Sequence, residues 1–196
     1  NNKVNLTFAT ALRSILRQDP DIIMIGEIRD SETASIAVQA SITGHLVVST
    51  LHTNNATGTL DRMVDMGVER YMLADSVVGV IAQRLVRKLC PHCRRKRLAT
   101  PEEKRLMYFS EEETVEIYEP GGCKLCNDTG YYGRKGIFEI MEMNEEIRRL
   151  IAEGSDSKNL IRAAKRNGMR TLRENGIRDV LAGITSVEEL QKASYE

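Results

Sequence analysis

The stretch Asp21-Ile22-Ile23-Met24-Ile25-Gly26-Glu27-Ile28-Arg29-Asp30 decides the fold. Four consecutive apolar residues, three of them Ile, stand between Pro20 and Gly26-Glu27. Their number and β-branched content predict a central strand over 22–26, buried on both faces. The strand ends in an acid, and in doubly wound sheets ligands lie beyond the carboxyl ends of strands. A carboxylate there faces a polar crevice, where it can hold a metal-bound nucleotide or orient a water. The alternative is a surface glutamate that closes an ordinary strand.

Upstream, residues 6–17 read as a helix with Phe8, Leu12, Ile15 and Leu16 on one face and Thr7 as its cap. It stops by Asp19, because Pro20 disfavours a helical residue before it. Downstream, Asp30-Ser31-Glu32 opens a second helix with capping oxygens and first-turn acids. Ala34, Ile36, Ala37, Ala40 and Ile42 let it pack closely, and Gly44 ends it. A strand over 46–51 follows, then a helix over 56–66, capped by Asn54 or Asn55 and closed by Gly67. Strand, helix, strand, helix is the pattern of a parallel α/β sheet.

Two histidines flank the second strand and separate on geometry. His45 precedes it and His52 follows, roughly 23 Å further along an extended chain. In a parallel sheet the residue after the strand shares an edge with Glu27. His52 is therefore the candidate, with Thr50, Thr53 and Asn54 beside it, and His45 is a structural hydrogen-bonder at the opposite end. Residues 69–78 suggest another helix, and 81–89 a strand carrying basic side chains. Arg84 on that strand either neutralises phosphate charge or is a solvated or ion-paired strand residue.

All four cysteines fall in two Cys-x-x-Cys pairs, Cys90/Cys93 and Cys123/Cys126, separated by 29 residues. Two residues between paired cysteines let both thiolates reach one tetrahedral metal, and two such turns complete a four-thiolate site. Structural zinc is the expectation and redox chemistry the alternative. The basic run Arg94-Arg95-Lys96-Arg97 offsets the excess charge of a zinc tetrathiolate or is solvated surface. Residues 130–136 read as a turn-rich hinge and 137–141 as a short strand. Compact helices follow over 145–153, 158–167, 172–182 and 187–193, the last opening with the capping box Ser186-x-x-Glu189. Met143, Met169 and the Leu/Ile positions supply core faces for these helices, and no catalytic cluster lies among them.

Bulk numbers exclude some partners. Lys+Arg and Asp+Glu number 28 each, and the residues before Cys90 carry nine of each sign. With 5% aromatic content as well, nucleic-acid binding is disfavoured. No apolar run reaches the roughly 20 residues of a spanning helix, and no signal peptide opens the sequence. The opening Asn1-Asn2-Lys3-Val4-Asn5 reads as cut from something longer, and the chain as a piece of a cytosolic protein.

Several long motifs resemble the bacterial secretion ATPases, the family of type II secretion and type IV pilus assembly motors. They are Leu6-Thr7-Phe8-Ala9, Ala11-Leu12-Arg13-Ser14-Ile15-Leu16-Arg17-Gln18-Asp19-Pro20-Asp21 and Ile25-Gly26-Glu27-Ile28-Arg29-Asp30. Thr43-Gly44-His45-Leu46-Val47-Val48-Ser49-Thr50-Leu51-His52-Thr53-Asn54 is similar to the family's histidine box. Ala82-Gln83-Arg84-Leu85 with the tetracysteine module, and Gly168-Met169-Arg170-Thr171-Leu172-Arg173, match too.

The resemblance implies the C-terminal part of a RecA-like P-loop NTPase core over 1–89. A tetracysteine zinc module over 90–130 and a mainly helical subdomain over 131–196 would follow. It also implies a homohexameric motor that couples Mg-ATP hydrolysis to pilus assembly or protein secretion. Such a motor would act at the cytoplasmic face of the bacterial inner membrane, peripheral to it through platform proteins. Residue by residue, it makes 22–27 the Walker B strand, Glu27 the catalytic carboxylate and His52 the sensor of the γ-phosphate. Arg29 and Arg84 join them as nucleotide-facing residues, while Arg13 and Arg17 match family arginines without an assigned role. One departure stands out: these residues contain no Gly-x-x-x-x-Gly-Lys-Ser/Thr, so the cradle for the β- and γ-phosphates is missing. The expectation is a loop lost by truncation and a chain inactive by itself. The competing reading is a stand-alone zinc-stabilised interaction module without nucleotide chemistry.

Overall fold

The computed structural model describes residues 7–194. Leu6, the predicted first residue of the opening helix, and the 1–5 stretch lie outside them. The chain forms two compact units, each assembled from two separated segments: residues up to Val80 with Ile140–Met169, and Ile81–Glu139 with the residues from Arg170 onward.

In the first unit, α1 (Phe8–Ile15) starts at Thr7, whose hydroxyl accepts the Thr10 N–H at 3.1 Å. It tightens into a 3-10 turn over Leu16–Gln18 and stops at Asp19, which adopts a left-handed φ of 54° before Pro20. β1 (Ile22–Ile25) pairs in parallel with β2 (Leu46–Ser49), with Ile22 opposite Leu46 and Ile25 opposite Ser49. Between them runs α2 (Ser31–Ile42), capped by Asp30 on the Thr33 N–H at 2.8 Å. Its buried Ala34, Ala37 and Ala40 let α1, β2 and α4 approach closely. α3 (Ala56–Asp65) is capped by Asn55, whose Oδ1 accepts the Gly58 N–H at 2.8 Å. α4 (Arg70–Ser76) packs on α6 (Glu145–Ala152), α6 on α7 (Ser157–Arg166), and α7 on α3.

β1 departs from the expectation of burial on both faces. Ile23 and Ile25 are buried, but Ile22 and Met24 are 63% and 80% exposed, and Leu46 and Val48 of β2 are each 47% exposed. The alternation follows from the pleat: α-helices cover one face of the pair, and no described residue of this unit covers the other.

The second unit contains most of β3 (Gly79–Leu89) and β6 (Tyr131–Glu142), which pair with each other. It also holds the antiparallel pair β4 (Arg95–Leu98) and β5 (Glu116–Glu119), with Arg95 opposite Glu119. α5 (Pro101–Leu106), α8 (Leu172–Leu181) and α9 (Val187–Ala193) complete it. Its core joins Ala99, Met107, Val115 and Ile117 to Ile177, Val180, Val187 and Leu190.

Two sequence expectations change here, and one stretch without an expected element gains three. The hinge over 130–136 and the short strand over 137–141 are one long strand, β6. Two of its glycines meet local demands: Gly133 takes a left-handed φ of 75°, and at Gly136 a Cβ would lie 2.8 Å from the Phe138 ring. The segment between the cysteine pairs holds β4, α5 and β5, with a Thr100/Glu103 capping box on α5. The box at Ser186 is half made: Ser186 accepts the Glu189 N–H, but the Glu189 carboxylate accepts instead from the Arg87 backbone and guanidinium.

Candidate functional site

Parallel pairing of β1 with β2 carries both chains past the same edge. The Ile28 N–H donates to the Thr50 carbonyl at 3.0 Å, and the Thr50 hydroxyl to the Gly26 carbonyl at 2.6 Å. These bonds extend the register beyond the strands and bring Glu27 and His52 together. His52 Nε2 lies 3.4 Å from Glu27 Oε2, and Arg29 Nε donates to that same oxygen at 2.6 Å. His45 is held at the other end of β2, with Nδ1 3.1 Å from the Ala40 carbonyl.

The edge is accessible: the side chains of Glu27, Arg29 and His52 are 28%, 71% and 89% exposed. The Arg29 hydrogen bond holds the Glu27 carboxyl below its usual range; burial opposes this, while the Arg29 charge and the contact with His52 reinforce it. Glu27 is thus an ionised, weakly basic acceptor at neutral pH. Such a group orients a water or a hydrated cation better than it removes a proton outright. Thr50 and Thr53, expected beside His52, serve the scaffold: the Thr53 hydroxyl donates to the Asn55 carbonyl at 3.3 Å and meets Thr59 at 3.0 Å. Arg13 joins α1 to α2 through Glu32 at 2.8 Å. Arg84 sits on β3 in the second unit, with Nη1 donating to the Gln83 carbonyl at 3.2 Å.

The four cysteine sulfurs all lie within 4.8 Å of one another. Cys90–Cys123 and Cys93–Cys126 are each 3.8 Å apart, and Cys123–Cys126 is 3.7 Å. A tetrahedron with zinc–sulfur bonds of about 2.3 Å has edges of about 3.8 Å. A disulfide needs sulfurs at about 2.05 Å. The donor set and its spacing therefore fit a zinc ion and not a disulfide. Burial and hydrogen bonds with the other three thiols push Cys93 up to about 12. Burial also pushes Cys126 up, but backbone hydrogen bonds with Gly130 and Cys123 outweigh it and bring that thiol to about 6.

Two glycines, one outside the sequence reading and one placed in a hinge, shape this cluster. The Gly130 N–H donates to Cys126 Sγ at 3.3 Å, and its carbonyl accepts the Cys90 N–H at 2.9 Å. A Cβ at Gly130 would stand 2.4 Å from Pro120, and one at Gly121 would stand 2.1 Å from the Cys93 carbonyl oxygen. Neither position tolerates a side chain without moving a cysteine turn. Three residues of the expected basic run have structural partners: Lys96 meets Glu116 at 2.6 Å, Arg97 grips Glu103 and Glu119 at 2.6 and 2.8 Å, and Arg94 donates to the Gly183 carbonyl.

The chain therefore presents a parallel β-α-β edge bearing an acid, a histidine and an arginine, and its likeness to solved structures is to secretion ATPase folds. The solved structure of the pilus retraction motor PilT with bound ADP superposes with a TM-score of 0.64. It is 30% identical and matches 97% of this chain and 44% of that one. The Legionella pneumophila ATPase DotB, 22% identical with a TM-score of 0.62, shares the fold. The chain belongs to the type II/IV secretion system protein family, whose model matches residues 1–192.

Among curated relatives, the type II secretion system protein HxcR of Pseudomonas aeruginosa is 52% identical over the whole chain, which spans 38% of that relative. Protein E of the Aeromonas hydrophila type II secretion system is 50% identical, with 39% of its length covered. The type IV pilus assembly ATPase PilB of Thermus thermophilus is 47% identical, with 22% covered. The chain thus spans well under half of the relatives it matches.

Proposed function

We infer that these residues belong to a motor ATPase that couples Mg-ATP hydrolysis to type II secretion or type IV pilus assembly. The observation that carries this reading is the Glu27–His52–Arg29 cluster at the open edge of a parallel sheet, in a chain of this family. Glu27 orients the attacking water, and its depressed pKa keeps it ionised while a polyanion and its cation assemble around it. His52 and Arg29, both within reach of one Glu27 oxygen, exchange that contact for the γ-phosphate as charge gathers there. Phosphoryl transfer needs chiefly positioning and charge stabilisation, which such a cluster supplies. Arg84 is assigned to phosphate charge in the same reading.

The four thiols hold a structural zinc, which supplies folding energy and no step of the reaction. The working assembly is a homohexamer on the cytoplasmic side of the bacterial inner membrane, docked on platform proteins. Among the described residues no helix is long and apolar enough to cross a membrane.

The test is ATP turnover by the longer natural protein that contains these residues. Glu27→Gln lowers kcat by about 100-fold or more with nucleotide affinity nearly unchanged. Turnover within about threefold of the parent removes Glu27 from the chemistry. The 196 residues alone, without a Gly-x-x-x-x-Gly-Lys-Ser/Thr cradle, are expected to give no turnover that is sensitive to Glu27→Gln.

A further inference from the structure

The residues on either side of the first cysteine pair hold one and the same loop. Leu89, just before Cys90, donates its N–H to the Ile184 carbonyl at 2.8 Å. Arg94, just after Cys93, donates from Nη1 to the Gly183 carbonyl and lays its guanidinium 4.8 Å from the centre of the Tyr118 ring. Gly183 and Ile184 lie in the connection between α8 and α9. Two adjacent carbonyls of that connection are therefore gripped from the two ends of one metal-ligand turn.

Neighbouring contacts repeat the pattern. The Thr185 hydroxyl donates to the Arg87 carbonyl at 2.8 Å, and Tyr131, next to the Gly130 that bonds Cys126 Sγ, meets the Ser186 hydroxyl at 2.8 Å. Gly183 takes a φ of 67°, and a Cβ on it would stand 2.6 Å from the Tyr118 ring. The helices that this connection joins supply Ile177, Val180, Val187 and Leu190, half of the apolar core of the unit.

A Cys-x-x-Cys turn has no apolar core of its own. The turn itself is closed by the Cys93 and Arg94 N–H groups on the Cys90 carbonyl at 3.3 and 3.0 Å, and its placement against the second cysteine pair is set by how the four sulfurs are tied. If the sulfurs come apart, the turn shifts as a unit, and its two flanking donors no longer meet the adjacent carbonyls together. We propose that the tetracysteine turn is a clasp for the C-terminal helices. Retention of the metal and ordering of the α8–α9 connection are one coupled equilibrium, transmitted by Leu89 and Arg94 through Ile184 and Gly183. The proposal rests on the zinc reading of the thiols given above. Because coupling between two sites is reciprocal, loosening the loop weakens metal retention by the same factor that metal loss loosens the loop.

The test is hydrogen exchange on the zinc-loaded chain, on the same chain after chelation, and on an Arg94→Gln variant, with zinc content measured in parallel. Chelation raises exchange across 177–193 by about tenfold, the size expected from losing one or two net hydrogen bonds. Peptides over 31–76 hold their protection. Arg94→Gln, still loaded with stoichiometric zinc, raises exchange over 181–193 by about threefold and gives zinc up to a chelator about threefold more readily. A chelated chain whose 177–193 exchange stays within about twofold of the loaded one overturns the coupling. If chelation unfolds 31–76 as well, the loaded Arg94→Gln variant decides: unchanged exchange overturns the proposal, and raised exchange supports it. A chain that retains no zinc after reconstitution sinks the zinc reading itself, an outcome distinct from zinc bound with indifferent helices.

Discussion

At Glu27 a guanidinium and an imidazole address a single oxygen, Oε2, with Arg29 at 2.6 Å and His52 at 3.4 Å. The carboxyl is lowered chiefly by the Arg29 hydrogen bond. Arg29→Gln is therefore expected to raise the Glu27 pKa toward its ordinary value of 4.5, read from the side-chain carboxyl shift during an NMR titration. A group with a depressed folded pKa stabilises the fold above its unfolded value and loses that contribution as pH falls through the folded one. The same sign applies to Glu189, where burial pushes the carboxyl up but the bonds from Arg87 win. Urea midpoints should fall as pH drops below 4.5, and less steeply in Glu189→Gln than in the parent. Arg87→Met leaves the Glu189 side chain, only 8% exposed, with Lys192 at 3.5 Å as its one remaining cation among the described residues. The pair's Arg side is 44% exposed, so the cost is discounted to about 1–3 kcal/mol by urea denaturation. Glu27 and His52 were legible in the sequence because a parallel pair admits only one histidine at the carboxyl edge. The Arg29 grip was not, since residues two apart carry no spacing rule that brings them to one oxygen. Glu189 was read as half of a capping box because local patterns do not reveal a partner as distant as Arg87.

Elements with strong punctuation were read from sequence to within a residue or two: β1 between Pro20 and Gly26, α2 between Asp30 and Gly44, and the helices ending at Gly154, Gly168 and Gly183. β4, α5 and β5 escaped. Their residues are dominated by charge, and their apolar positions, Ala99, Met107, Val115 and Ile117, show no period until α8 and α9 cover them. Only the second half of β6 reads as a strand, over 137–141; the first half reads as a hinge because Gly130, Gly133 and Gly136 fall within seven residues, and glycine usually marks a turn. Gly130 instead serves the thiol cluster, which yields a prediction at this scale. Gly130→Ala meets Pro120 and a left-handed φ of 76°. It should weaken zinc retention by about tenfold or more against a chelator, while β1–β2 remains folded by hydrogen exchange. Wild-type zinc retention in that variant would show that the cysteine turns move to accommodate the side chain. In the apolar core, Leu190→Ala should cost about 2–5 kcal/mol in urea denaturation, since its side chain is fully enclosed.

At the scale of the molecule, both compact units interleave chain segments that lie far apart in sequence. The contacts that join those segments, α4 with α6 in the first unit and β5 with α8 in the second, leave no local trace in the sequence. One consequence concerns the open face of β1 and β2. Ile22, Met24, Leu46 and Val48 stand on it, between 47% and 80% exposed. A contiguous apolar face on a short parallel sheet favours association, and parallel sheets are ordinarily covered on both sides. The chain as a separate polypeptide is therefore expected to bind a hydrophobic dye and to self-associate as concentration rises. Met24→Lys together with Val48→Lys should suppress both, by dye fluorescence and sedimentation, and leave zinc content unchanged. In the longer natural protein the same pair of substitutions tests what the face is for. If further chain covers it, two buried lysines lower the melting temperature by several degrees or prevent folding, since an unpaired buried charge is costly. If it stays open there as well, stability is unmoved and only solubility improves. The two proteins should respond to one pair of substitutions with opposite signs, and a like response in both would show that this sheet face is solvent-exposed in the longer protein too.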